Sequence, residues 1–282
     1  MTLEKVHFVH NNEGEAFARE LMASFGQSSF DEAGIVVSVG GDGKLLEALR
    51  MFPGKKVFGV RPPTSNSAGF WTNKDVSSPA DLTAAFKKAR VYEMMPLKAD
   101  IVFSDGSVAT RYGYNDISIQ KDYQTPPQAM REEFDLGEMD ITIQSCLFHL
   151  SVDFNGRAKA KYRAMGSGLL FSTPMGSTAM NDKYNGPVVP LDNPQIILTG
   201  MGISEPRGGF SIVNPASYKL DVEIKSQDKR PVVISNDSFG IQASKGGKTV
   251  SRVKVSLATD KTAEIVLTED PGLRAYSALA PV

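Results

Sequence analysis

Cysteine is almost missing from this sequence: Cys146 is the only one in 282 residues. One thiol cannot close an intrachain disulfide or build a cysteine-rich metal site. Histidine is scarce as well. His7 and His10 flank the first strand-like run and His149 sits in an apolar one, at no metal-ligand spacing, so each reads as structural or solvated. Neither sign of charge dominates, with Lys plus Arg at 31 and Asp plus Glu at 32. That balance leaves no basic footprint for nucleic acid, and a phosphorylated ligand would have to be held by backbone groups and a few local cations. No apolar run reaches the roughly 18 residues a membrane span requires, and the N-terminus carries no signal pattern. The expectation is a cytoplasmic protein without membrane or nucleic-acid partners.

What is present is ordinary globular material, 41% apolar and 22% charged, at a length that suits two domains. Val6–Val9, Ile35–Val39 and Lys56–Val60 read as strands. Between and after them, residues 13–25, 44–51 and 82–88 carry the i, i+4 apolar spacing of helices, as in Phe17, Leu21 and Phe25. Strand alternating with helix predicts a Rossmann-like parallel sheet over residues 1–96. Beyond Met95-Pro96 the pattern changes to short β-like runs, among them Ala99–Phe103, Gly113–Ile119, 138–143, Leu147–Phe154, Leu169–Ser172, Gln195–Thr199, Leu220–Ile224, Val232–Ser235 and Val250–Leu257. Turn pairs such as Asp105-Gly106, Asn155-Gly156 and Gly246-Gly247 separate them. This predicts a β-sandwich over residues 97–267. The tail, 268–282, has no strong periodicity.

Four segments could carry chemistry. The strand ending at Val39 runs into Gly40-Gly41-Asp42-Gly43 and then a helix. Glycines let the backbone turn sharply and approach a ligand closely, and the helix N-terminus offers unpaired N–H groups to phosphate oxygens. An aspartate there can take a proton from an attacking hydroxyl or help hold magnesium. The competing reading is a plain βα turn whose aspartate caps the helix. Thr173-Pro174-Met175-Gly176-Ser177-Thr178-Ala179, with Asn185-Gly186-Pro187, offers hydroxyls for phosphate or ribose oxygens, or is a Ser/Thr-rich loop capping a helix. Asn115-Asp116 suits a ribose diol or amide, or is a strand-end Asx turn. Gly69-Phe70-Trp71-Thr72 could line a flat base pocket, or give Phe70 and Trp71 to the core.

Taken in order, these segments resemble the NAD kinase family. Val36 to Gly43 is similar to its glycine–aspartate signature almost residue for residue. Gly69-Phe70-Trp71-Thr72 is similar to its GFLT segment, Asn115-Asp116 to its Asn-Glu pair, and Ser172 to Ala179 with Gly186-Pro187 to its STPTGSTA…GGP block. The resemblance implies an α/β domain and a β-sandwich domain with the active site between them, and a C-terminal tail that packs back on the first. It implies transfer of the γ-phosphoryl group of ATP, or of another phosphoryl donor, to the 2′-hydroxyl of the adenosine ribose of NAD, with Mg2+. Asp42 would be the base, with Gly41 and Gly43 adding backbone contacts. Asn115 and Asp116 would bind the NAD ribose, Thr178 and Ala179 would line the adenine and ribose pocket, and Phe70 would lie near the nicotinamide end. Ser167, Thr173, Met180 and Lys183 fall at further binding positions. A homodimer or homotetramer is implied as well.

Some positions depart from the family pattern. Asp116 stands for glutamate, Met180 for the tyrosine that ends STPTGSTAY, Met175 for a threonine, and Ser167-Gly168 for Asp-Gly. Arg61 to Asn66 lengthens a loop that is usually short. These changes fall on the acceptor side. They keep open a related kinase with another hydroxyl acceptor, as in lipid kinases, and a dinucleotide-binding relative without turnover.

Overall fold

The computed structural model describes residues 5–66, 69–122, 145–154, 156, 159–226, 230–237, 239–241 and 249–274. The run read as a strand at 138–143 lies outside them, as do Asn155 and the Gly246-Gly247 pair. The described chain forms two units. One falls within Met1–Met95, Val188–Asn193 and Thr259–Val282, the other within Pro96–Pro187 and Pro194–Ala258.

The first unit opens with β1 (Val6–His10), α1 (Glu15–Phe25), β2 (Ile35–Val39), α2 (Asp42–Met51) and β3 (Lys56–Val60), followed by α3 (Pro79–Lys88) and β4 (Arg90–Met94). All five residues of β2 are buried, as a continuous apolar strand requires when both sheet faces are covered. Alternate residues serve different helices. Val37, Val39, Phe58 and Val60 join a core with Phe17 and Leu21 of α1 and with Leu82 and Phe86 of α3. On the other face, the side chain of Leu45 in α2 lies against Gly59, where a Cβ would come within 3.2 Å of it. The start of α3 is well defined. Ser78 Oγ accepts the Asp81 N–H at 3.2 Å while the Asp81 carboxylate accepts the Ser77 N–H, with Pro79 in the first turn, a reciprocal cap of about 1 kcal/mol.

The sheet is the expected Rossmann-like one, parallel from β1 through β3, and it is extended by two further strands. Its order is β1-β2-β3-β16-β4, where β16 (Ala263–Leu267) comes from the far end of the chain. β16 runs parallel to β3 and antiparallel to β4. Both β4 and β16 were missed as strands of this sheet, and residues 263–267 fall in a stretch read from the sequence as part of the second domain. Sequence periodicity shows that a strand forms and not which neighbour it joins, so an insertion from roughly 200 residues away leaves no local trace.

The second unit is an eleven-stranded antiparallel sheet. Its strands are β5 (Leu97–Phe103), β6 (Val108–Gly113), β7 (Asp116–Lys121), β8 (Cys146–Asp153), β9 (Lys159–Ser172), β10 (Gln195–Glu205), β11 (Ser211–Pro215), β12 (Lys219–Lys225), β13 (Val232–Asn236), β14 (Phe239–Ile241) and β15 (Val250–Leu257). β9 explains its sandwich-like form. Its first part pairs with β8 and its last five residues with β7 along the same edge, while β10 holds the other edge. Two strands on successive stretches of one edge make the sheet fork there. A 3-10 turn (Met175–Thr178) and α4 (Met180–Lys183) follow β9.

Candidate functional site

In the first unit the glycine turn is built by close approach. Gly40 donates its N–H to Val60 O at 2.8 Å, and a Cβ on Gly40 would fall 2.8 Å from the Lys44 Cβ. Gly41 is the extended N-cap and α2 starts on Asp42, two residues earlier than the sequence reading placed it. The first-turn N–H groups have no acceptor within their own helix. Gly43 is exposed and a Cβ there would meet nothing within 4 Å, so a ligand has room to reach this backbone.

Asp42 does not cap its own helix. Its carboxylate reaches to the segment after Gly69, where Oδ2 accepts the Phe70 N–H at 2.6 Å and Oδ1 accepts those of Trp71 and Thr72 at 2.9 and 3.2 Å. Burial raises its pKa, against the three backbone hydrogen bonds and the more distant charge of Arg274, which lower it. The same segment is gripped from behind. Arg274 Nη1 donates to Phe70 O at 2.8 Å and to Thr72 O at 3.2 Å, and Nη2 donates to Asn73 Oδ1 at 3.1 Å. Asn73 in turn donates to Gly59 O and accepts from the N–H and hydroxyl of Thr268. Phe70 is half-buried and stands edge-on to Trp71 with centroids 4.9 Å apart. Trp71, 2% exposed, belongs to the core.

In the second unit, the run Gly113–Ile119 is not one strand. β6 ends at Gly113 and β7 begins at Asp116. The cause is Asp237, whose carboxylate accepts the N–H groups of Tyr114, Asn115 and Asp116 at 2.9, 2.7 and 3.2 Å and so satisfies donors that a ladder would otherwise use. The far side of this turn is taken up by Thr173. Its hydroxyl donates to Tyr114 O at 2.6 Å and accepts the Gly176 N–H at 3.1 Å, which spends its proton within the protein. Gly176 lies so close that a Cβ would sit 1.9 Å from Asn115 O.

What this packing leaves over is a group of buried polar atoms without partners. Among the described residues, Asn115 Oδ1 and Ser172 Oγ have none. Asp116 is 5% exposed and no hydrogen bond to its carboxylate is found among the described residues. Desolvation first, and the Asp237 charge second, push it up to about 7. Ser172 is the register partner of Asp116 across β7 and β9. Buried polar groups of this kind are costly unless something pairs with them. Thr178, Ala179 and Met180 follow at the half-buried start of α4, with Lys183 exposed at its end. Ser167 is not brought to this group. It lies five residues back along β9 from Ser172, roughly 17 Å at the rise of a strand.

Sequence reading singles out Asp42, Phe70, Asn115 and Asp116 and not the residues bonded around them: Asp237, Arg274 and Asn73. Asp237 had one usable signal, an Asn-Asp pair just past the apolar run Val232–Ser235. Arg274 had none.

Comparison with known proteins bears on these arrangements. No family model matches the chain. The NAD kinase of Mesorhizobium japonicum is 31% identical over 246 residues, covering 84% of this chain and 84% of its own. The NAD kinase of Xanthomonas oryzae pv. oryzae is 28% identical over 253 residues, covering 89% of this chain and 85% of its own. Among solved structures, yeast NADH kinase complexed with NADH superposes with a TM-score of 0.72 at 15% identity, covering 98% of this chain and 87% of that one. An Archaeoglobus fulgidus NAD kinase in complex with ATP gives 0.67 at 17% identity, covering 98% of both. At such identities the structural likeness concerns the fold.

Proposed function

This chain belongs to the NAD kinase family, and on that premise we propose that it transfers the γ-phosphoryl group of ATP to the 2′-hydroxyl of the adenosine ribose of NAD, giving NADP and ADP. The observation that carries the reading within this chain is the half-buried, three-point-held carboxylate of Asp42, set beside first-turn N–H groups that a ligand can approach. The relatives compared above are NAD and NADH kinases and none is a lipid kinase, which favours NAD over another hydroxyl acceptor.

In the proposed reaction the ribose 2′-oxygen attacks the γ-phosphorus, the bond to the β-phosphate oxygen breaks, and ADP leaves with that electron pair. Asp42 accepts the hydroxyl proton. Three of its lone-pair directions are taken by backbone N–H groups, which leaves Oδ2 one direction for the incoming hydroxyl. Burial raises its pKa, which strengthens it as a base where it remains ionised. Phosphoryl transfer draws mainly on positioning and charge stabilisation, and the N–H groups of Gly41, Asp42 and Gly43 are placed to supply the latter. Among the described residues no group of three or more His, Cys, Asp or Glu side chains gathers to hold a metal. Were Mg2+ bound with ATP, it would neutralise phosphate charge.

On the acceptor side, Asn115 and Asp116 would take the ribose hydroxyls, which would satisfy an amide oxygen and a carboxyl that have no hydrogen-bond partner among the described residues. Thr178, Ala179, Met180 and Lys183 would line the adenosine, with Phe70 toward the nicotinamide. A cytoplasmic homodimer or homotetramer completes the reading, and light scattering on the purified protein tests that assembly.

The test of the reaction is direct. Purified protein with ATP, Mg2+ and NAD is expected to form NADP, read with an NADP-specific dehydrogenase, in step with ADP. No NADP from ATP, another nucleoside triphosphate or polyphosphate overturns the reading.

A further inference from the structure

Arg274 stands in the short helical turn that follows β16, 204 positions from the residue whose carbonyl it binds, and it is 6% exposed. A guanidinium removed from water in this way costs several kcal/mol unless it is fully used. Here its two terminal nitrogens are spent on the backbone of Phe70 and Thr72 and on Asn73. Its Nε faces Glu269 at 3.3 Å, a carboxylate 67% exposed and therefore a weak partner. The strong contacts of Arg274 all go to one loop.

The other side of that loop is bound by Asp42. The carbonyl of Phe70 and the N–H of Trp71 belong to the same peptide unit, and in a trans peptide they point in opposite directions. Arg274 donates to that carbonyl and Asp42 accepts from that N–H, at 2.8 and 2.9 Å. One peptide plane thus lies between a cation and an anion, with its dipole aligned favourably to both. A cation on the carbonyl polarises the amide and makes its N–H a better donor, the cooperative effect expected of hydrogen-bond chains in a low-dielectric interior.

We infer that Arg274 is a positioning residue for Asp42: through the Phe70–Trp71 peptide it holds the orientation of that carboxylate and favours its ionised form. This rests on the reading of Asp42 as the base. The groups that face the pair are few. Arg274 is the charged group that acts on Asp42, and Glu269, Asp42, Asp75 and Tyr92 act on Arg274.

The test compares Arg274→Met and Arg274→Lys with the unaltered protein, following NADP formation from about pH 5.5 to 9. Arg274→Met is expected to lower kcat about 10- to 100-fold with KM for NAD within about twofold, and to move the acid limb of the kcat profile to higher pH, because a cation that favours the ionised carboxylate is gone. Arg274→Lys, a charge without the planar fork, is expected to restore the position of the limb and only part of kcat. A folded Arg274→Met protein with an unmoved limb overturns the inference, whether or not its kcat has fallen. If Arg274→Met does not fold, Arg274→Lys alone decides: full kcat without the fork, or a displaced limb despite the charge, counts against. A carboxyl NMR titration of Asp42, with and without Arg274, reads the coupling without turnover. It separates failure of this inference from failure of the kinase reading, which would instead show as no NADP from the unaltered protein.

Discussion

At the scale of single residues, two carboxylates of the chain lose hydration and are treated in opposite ways. Asp42 is surrounded by donors, while Asp116 is buried beside another acid. The second case has a consequence for stability. A folded-state pKa of about 7, against roughly 3.9 in the unfolded chain, means the native state binds a proton that the unfolded state has already released. Stability from Asp116 is therefore fully present below about pH 4 and is lost as pH rises through about 7. Asp116→Asn keeps the shape and removes the charge, so it should raise Tm clearly at about pH 8.5 and little at about pH 4.5. The difference is bounded by ~4 kcal/mol, three pKa units at the usual conversion. Thermal melts at the two pH values check it, and an equal change at both would show that Asp116 is not held neutral.

At the scale of elements, glycines divide by what they touch. Gly176 lies in the 3-10 turn against the Asn115 carbonyl, where a Cβ would come within 1.9 Å. The neighbour is backbone already fixed by Asp237 and Thr173, so it cannot move aside. Gly176→Ala is expected to cost about 3 kcal/mol or more and to lower Tm by several degrees. Gly43 has open space and lies inside a helix, so Gly43→Ala should raise stability by up to ~1 kcal/mol. It should weaken ATP binding at the same time, because a methyl group then stands over the N–H groups proposed to meet phosphate. Melting curves and the KM for ATP read the two effects separately.

This contrast also marks how far the sequence could be read. A nearly all-apolar strand running into glycines made β2, the turn and α2 legible, and with them Asp42, because all the information sits in the one stretch from Ile35 to Met51. The break at Asn115 was not legible. Local composition there favours a continuous strand, and the carboxylate that interrupts it comes from a position 122 residues away. The same holds for Thr173, whose hydroxyl looked available for a ligand and spends its proton on the Tyr114 carbonyl. Hydroxyl-rich loops look alike in sequence whether their donors face a ligand or the chain.

At the scale of the whole molecule, the first unit is not a contiguous stretch. β16 is an interior strand, with β3 on one side and β4 on the other, and Ile265 and Val266 are wholly buried. Residues 1–95 alone would leave β3 and β4 with unpaired edges and an open core, a state that exposes backbone donors and acceptors as well as apolar surface. They would also lack Thr268 and Arg274, the partners that hold Asn73 and the Phe70–Thr72 segment. A chain ending at Ala258 keeps every strand pairing of the second unit, since each of those strands lies between Leu97 and Leu257. Such a truncation is therefore expected to lose the amide protection of β2 and β3 in hydrogen exchange and to keep that of β9 and β12. Native-like protection of β2 and β3 in the truncated chain would mean that the first unit closes without its C-terminal strand. The Asp42 site would then form without residues 259–282, and the support of the Phe70–Trp71 peptide by Arg274 would be dispensable to the fold.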